Sequence, residues 1–204
     1  MDNPAETRYP IHGLLRNRWS PLAFADDPIQ PDQLGSLLEA VRWSPSSYNE
    51  QPWAYIIGVR GEGETFDRLV SCLSEGNVPW AKHAPVLMLA CAKLRFDKNG
   101  KPNRHAQHDV GLANASLVVQ AEALGLRVHQ MAGFDPDQAR AEFGVPETHE
   151  PLTMIAVGHY GQPERLPDNY RQRERGARSR QPLEAFVFAG RWGSPVQLGP
   201  GGAD

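Results

Sequence analysis

Cysteine is scarce in this chain: Cys72 and Cys91 are the only two among 204 residues, and they lie far apart in apolar, periodic contexts. That usage reads as buried core thiols in a reducing compartment. Long apolar runs are missing too. None reaches the roughly 18 residues that span a bilayer, and Met1 to Pro10 lacks the apolar core of a signal peptide. The expected location is therefore cytoplasmic, with no membrane partner. There is no run of one charge sign, and the formal net charge is −3. A nucleic-acid binder would usually carry a basic stripe, so no nucleic-acid partner is expected. No G-x-G-x-x-G follows a strand, no Walker A sequence occurs, and no internal repeat is visible.

What is present suits one soluble domain. Hydrophobic residues make up 40% and charged residues 22% of the chain, and a chain of this length buries roughly 70% of its unfolded surface without staples. A turn and helix start at Pro28 to Asp32 precede Leu34, Leu37, Leu38 and Val41 at helical spacing. Ala54 to Val59 reads as a short buried strand. Phe66, Leu69, Val70 and Leu73 mark a second amphipathic helix, and Pro85 to Ala92 a central strand. Residues 105 to 125 form the longest helical candidate. Its apolar face is so wide that burial on more than one side is expected, with Gly125 as its cap. A strand around Leu126 to Met131 follows. Asp135 is a good N-cap, with Pro136 at the first position of a helix through Phe143, and Leu152 to Gly158 reads as a last buried strand.

The alternation of helix and strand predicts an α+β or α/β sandwich. From Gln162 the character changes. Residues 162 to 181 are rich in Arg, Pro and Gln, and then Leu183, Phe186, Val187, Phe188 and Trp192 return apolar groups without helical length. The expected organisation is a single domain: a core over about 8–161, an extended C-terminal arm over 162–197 packed on this subunit or a partner, and a disordered end at 198–204.

Ser44 to Trp53 reads SPSSYNEQPW. It places two prolines and a crowd of neutral hydrogen-bonding side chains between a helix and an apolar strand. A simple turn needs less polar chemistry; a planar, heteroatom-rich ligand would suit it. The stretch Pro45 to Trp53 resembles the P-S-S-x-N-x-Q-P-W segment of the nitroreductase family, flavin-dependent oxidoreductases that bind FMN between two subunits. Three further segments match in order. Arg18-Trp19-Ser20-Pro21-Leu22-Ala23-Phe24 resembles the N-terminal R-x-S element, whose Arg and Ser hold the flavin's phosphate and ribityl chain. Gln130-Met131-Ala132-Gly133-Phe134 resembles the segment whose backbone amides run along the isoalloxazine edge. Arg178-Ser179-Arg180-Gln181-Pro182-Leu183, with Phe186 to Trp192, resembles the C-terminal basic pair and apolar arm.

The resemblance implies an α+β fold, a mixed sheet flanked by helices, in an intertwined homodimer with a C-terminal arm and FMN at the interface. It implies cofactor contacts from Arg18, Trp19, Ser20, Pro45, Ser46, Ser47, Asn49, Gln51, Asn77, Met131, Ala132, Gly133, Arg178 and Arg180. The residue chemistry agrees, beside plainer readings. Arg18, Arg178 and Arg180 can make bidentate phosphate contacts, or be solvated arginines of polar tails. Ser46, Ser47, Asn49 and Gln51 can serve flavin heteroatoms and ribityl hydroxyls; local turn bonds explain one or two of them. Gly133 allows close backbone approach or is a left-handed loop glycine. Asn77 is a flavin contact or a loop cap, and Trp53 is expected in the core. His105, His108 and Asp109 suggest a metal by type, but solvated helix residues are the preferred reading, and no metal is expected.

The implied chemistry is ping-pong hydride transfer from NADH or NADPH through FMN to a small acceptor such as a nitroaromatic or quinone. No side chain need act as acid or base, so no catalytic residue is expected. Alternatives are a flavin-binding storage or sensing protein, or a dehalogenating or flavin-fragmenting branch. The family usually has Arg or Lys where this chain has Leu22. The expectation is that Lys82 or an arginine of the 171 to 180 segment replaces that cation.

Overall fold

A computed structural model describes residues 3–199. Four strands carry the fold: β1 (Trp53–Val59), β2 (Val86–Lys93), β3 (Arg127–Met131) and β4 (His149–Gly158). They form one sheet in the order β1-β2-β4-β3, and every neighbouring pair is antiparallel. The mixed character implied by the resemblance thus has no parallel pair among the described residues of one chain. Around the sheet stand α1 (Gly13–Asn17), α2 (Pro31–Arg42), α3 (Thr65–Ser71), α4 (Val78–Ala81), α5 (Ala106–Ala123), α6 (Pro136–Phe143) and α7 (Asp168–Glu174).

The continuous apolar run of β2 has a direct cause. Side chains alternate across a strand, and both faces of this sheet are covered. Leu87, Leu89 and Cys91 point into one core with Phe66, Leu69 and Trp80. Val86, Met88, Ala90 and Ala92 point into the other, with Leu37 and Val41 of α2 and Val110, Ala113 and Leu117 of α5. β4 divides likewise, Met154 and Ala156 to the first core, Ile155 and Val157 to the second. Both cysteines are free and buried as expected, and burial pushes the Cys91 thiol up to about 11. Trp53 is half-buried against the second core.

β4 starts three residues earlier than its apolar pattern suggests. The register against β2 shifts between Ala90 and Cys91, which skips Leu152 and lets Pro151 sit in the strand at a bulge. The helix ends follow local chemistry. The Asp135 carboxylate accepts the Asp137 and Gln138 N–H groups at the head of α6. Gly125, at φ 72°, ends α5, and the Leu126 N–H reaches back to the Ala121 carbonyl at 2.8 Å.

The segment after 161 is not extended throughout. α7 forms within it because Leu166 and Tyr170 are buried in the first core and Tyr170 Oη donates to the Gly76 carbonyl at 3.1 Å. Two apolar anchors one turn apart are enough to dock a short helix, though they vanish in an arginine-rich composition. Residues 187–196 fold into a small hairpin, closed by Val196 N–H to the Val187 carbonyl, with Trp192 exposed at its tip. The tail packs on its own N-terminal segment: Arg8 pairs with Glu184, and Arg178 Nη1 donates to the Asn3 carbonyl. Of the end expected to be disordered, Leu198 and Gly199 accept hydrogen bonds from Arg8, while 200–204 lie outside the described residues. No helix among the described residues is long and apolar enough to cross a membrane.

Candidate functional site

Segment one is clamped in place from three sides. Ala23 and Ala25 exchange backbone bonds with Gly161 and His159, just past β4. His129 of β3 sits with Nδ1 2.9 Å from the Pro21 carbonyl. The Leu22 N–H donates to Oε2 of Glu174, on α7, at 2.6 Å. This fixes Arg18, Trp19 and Ser20 at the mouth of a cavity of about 280 Å³, which Arg173, Arg178 and Arg180 also line. Two ends of the chain, about 160 residues apart, therefore meet around one opening.

Arginines outnumber acids at that opening: four line it beside Glu174, and Glu122 acts on Arg18 from nearby. Burial lowers the affinity of Arg18 for its proton, and the positive charges of Arg178 and Arg180 lower it further. Burial and Arg180 do the same to Arg178. Arg18 Nη1 donates to Ser20 Oγ at 3.2 Å, and Arg180 Nη1 to the Ser179 carbonyl at 2.7 Å. None of the three forms an ion pair with a carboxylate among the described residues. Like charges gathered at one opening, none in ion-pair contact with a carboxylate, make a site for an anion with several oxygens.

Segment two lies elsewhere. Residues 47–49 make one 3₁₀ turn, and Tyr48, Asn49 and Gln51 have φ of 56°, 56° and 50°. They are the only non-glycine residues with positive φ among the described residues. Such backbone costs about 1–3 kcal/mol per residue and gathers at functional sites. Two contacts hold it. Ser46 Oγ accepts the Gln51 N–H at 3.0 Å, and Oδ2 of Asp109 accepts the Ser47 N–H at 2.9 Å. Asp109 is only 2% exposed. The reading of Asp109 as a solvated helix residue is thus corrected: it faces inward because its helix must deliver an acceptor to the motif. His105 and His108 are exposed, His108 Nδ1 lying 3.0 Å from Asp109 Oδ1. Among the described residues no group of three or more His, Cys, Asp or Glu could hold a metal.

Segment three is held by its backbone. The Gly133 carbonyl accepts from Ser74 N–H, Ser74 Oγ and Asn77 Nδ2, at 3.1, 2.9 and 2.9 Å. Gly133 is not left-handed; a Cβ there would stand 2.6 Å from Asn77 Nδ2 and 2.7 Å from Ser74 Oγ. Asn77 therefore ties two loops together, while Met131 is buried and Ala132 exposed.

Within one chain the segments are spread along α5. Asp109, beside Ser47, opens the helix. Glu122, whose charge acts on Arg18, stands 13 positions later. At about 1.5 Å per residue that is about 20 Å along the axis. Pro45, Ser46, Ser47, Asn49 and Gln51 do not line the arginine cavity of their own chain.

His129, Arg173 and Glu174 also line that cavity, and the sequence pattern did not single out His129 or Glu174. Burial lowers the His129 pKa, and its ring centre lies 4.5 Å from that of Trp80. Burial raises the Glu174 pKa; its Oε1 and the Tyr160 hydroxyl are both buried without a hydrogen-bond partner. Arg173 shares the cavity with Leu22, whereas Lys82 does not line it.

Comparison with known proteins identifies the family. The sequence matches the model of the Nitroreductase family over residues 15–69 and 58–159. It is 37% identical to an uncharacterised 15.4 kDa protein of Mycolicibacterium smegmatis, over 70% of this chain and 99% of that one. A protein of Streptomyces coelicolor, whose name proposes an NADH dehydrogenase/NAD(P)H nitroreductase, is 27% identical over 80% of this chain and 90% of its own. A solved oxidoreductase containing FMN superimposes with a TM-score of 0.89 at 31% identity, covering 95% of this chain and 98% of that one. The family-model match covers most of the chain and the fold agrees with it: the chain belongs to the nitroreductase family and is an oxidoreductase.

Proposed function

We propose that the protein binds FMN between two copies of this chain and uses it to pass hydride from NADH or NADPH to a small acceptor such as a nitroaromatic or quinone. The observation that carries this reading is the cluster of Arg18, Arg178 and Arg180 beside Ser20, none of them in an ion pair with a carboxylate among the described residues. A phosphate dianion answers it, and the solved relative described as containing FMN supports that choice of anion. Bound FMN would supply the redox chemistry itself, accepting hydride from the nicotinamide and delivering it to the second substrate in ping-pong order.

The residues of this chain bind and orient. Arg18, Ser20, Arg178 and Arg180 grip the phosphate end, with Trp19 as a wall. Arg173, which lines the same cavity as Leu22, takes the role that the family usually gives to that position. Met131, Ala132 and Gly133 offer backbone along a ring edge, with Asn77 holding the Gly133 carbonyl. Pro45, Ser46, Ser47, Asn49 and Gln51 come from the second copy. The spread of the segments along α5 supports this, because one chain leaves its own motif remote from its own arginine cavity. Gly111 and Ala115 of α5 are exposed, and Leu112 and Val119 only half-buried. A second copy would cover that face.

Anaerobic addition of NADH or NADPH to FMN-loaded protein tests the reading. Bleaching of the flavin band, followed by its return on adding a quinone or nitroaromatic, is the expected result. Tight FMN binding with no bleaching by either nucleotide would favour a storage or sensing role instead.

A further inference from the structure

Tyr48 is the aromatic residue of the strained turn, and its side chain stands out into solvent at 79% exposure, between the exposed Asn49 and the half-buried Ser47. Ser46, Ser47, Asn49 and Gln51 flank it on both sides. Its ring meets the edge of Phe96 at a centroid distance of 6.0 Å, and the Lys98 ammonium lies 4.3 Å from the Tyr48 centroid and 5.9 Å from that of Phe96. Phe96 and Lys98 belong to a hairpin over 95–102, closed by the Arg95–Pro102 bridge and by Phe96 N–H to the Lys101 carbonyl at 2.9 Å. The hairpin is tied to the motif by Glu50, which accepts the Asp97 N–H, and the end of β2 that leads into it is tied by Lys93 N–H to the Pro52 carbonyl at 2.7 Å.

Charge on this hairpin is also one-sided. Asp97 is its only acid, and it is paired with Lys93. Arg95, Lys98 and Lys101 of the hairpin, and Arg104 just past it, are exposed and form no ion pair among the described residues. A tyrosine held at φ 56° beneath an unpaired ammonium is a stacking surface with a fixed positive charge beside it.

We propose that Tyr48, Phe96 and Lys98 form a specificity subsite for an aromatic ring that carries negative charge. Two sources share this chemistry: an acidic aromatic acceptor, and the phosphorylated adenosine end of NADPH. The inference rests on the flavin reading above, since the motif residues flanking Tyr48 are what would bring it beside the cofactor.

Steady-state kinetics of FMN-loaded Lys98→Gln and Lys98→Glu proteins test it, with flavin absorbance confirming that the cofactor is bound. One pair of substrates is NADPH and NADH; the other is 4-nitrobenzoate and 4-nitrobenzyl alcohol. The ratio of kcat/KM for the more negatively charged over the less charged member is expected to fall about two- to fivefold for the Gln variant in one pair, and further for the Glu variant. The pair that responds identifies the source. Unchanged ratios in both pairs, in flavin-replete protein, would overturn the subsite. Failure of the wild-type protein to take up FMN would instead count against the flavin reading.

Discussion

The Ser47 backbone N–H donates to Oδ2 of Asp109 across 2.9 Å, and that carboxylate is buried. The bond joins the strained turn to the first turn of the longest helix. Hydrogen bonds to a charged group contribute about 1.5–3 kcal/mol. Asp109→Ala is therefore expected to destabilise the cofactor-free protein by about 2 kcal/mol in urea unfolding. Asp109→Asn keeps an acceptor and should recover part of that. Both should weaken FMN binding, the Ala variant more. An Ala variant with unaltered urea midpoint and FMN affinity would show that the turn holds its shape without Asp109.

The arginine cluster makes stability and binding move in opposite directions. Arg178 and Arg180 repel Arg18 in the ligand-free protein. Arg180→Gln removes one of these repulsions and one of the proposed phosphate contacts. The expected outcome is a melting temperature without FMN that is equal or higher, with FMN affinity about tenfold or more lower by fluorescence titration. A large fall in melting temperature with FMN affinity retained would make Arg180 a structural residue.

Gly133→Ala places a methyl where Asn77 and Ser74 donate to the Gly133 carbonyl. Overpacking of this kind costs about 1–3 kcal/mol. Thermal unfolding should show that loss, and Gly133→Ala combined with Asn77→Gly should show less than the sum of the two single changes. Strict additivity would mean that the two residues do not meet.

Glu174 gives stability a pH dependence of predictable sign. Burial raises its pKa above the unfolded value, so the folded state holds the proton more tightly. Stability is then greatest below the unfolded pKa and declines as pH rises through the interval up to the folded pKa. Glu174→Gln removes this decline while keeping an acceptor for the Leu22 N–H. Relative to wild type it should be more stable at pH 7, with the difference vanishing near pH 4. Equal urea midpoints at both pH values would mean that the carboxyl is ionised in the fold as readily as outside it.

Periodicity revealed the elements that bury a regular stripe. Leu37 and Val41 mark α2, Phe66 and Leu69 mark α3, and the run ending at Ala92 marks β2, all as buried in the structure. The same logic missed α7, since Leu166 and Tyr170 are isolated anchors in polar surroundings. It also missed the inward direction of Asp109, because a carboxylate in an apolar helix signals its partner only when that partner, the Ser47 amide, is brought near by the fold. Arg18, Ser20, Arg178 and Arg180 were legible as types, and the structure brings them together. His129 and Glu174 were not, because their roles arise from packing against Trp80, Pro21 and Leu22.

The central claim, one FMN held by residues of two chains, is tested most directly by the stoichiometry of flavin on purified protein of measured mass. Absorbance of the flavin band combined with light scattering should find a dimer that carries two FMN, and Arg180→Gln should deplete the flavin. A colourless protein that takes up no added FMN, or a monomer that binds FMN with undiminished affinity, would contradict the account.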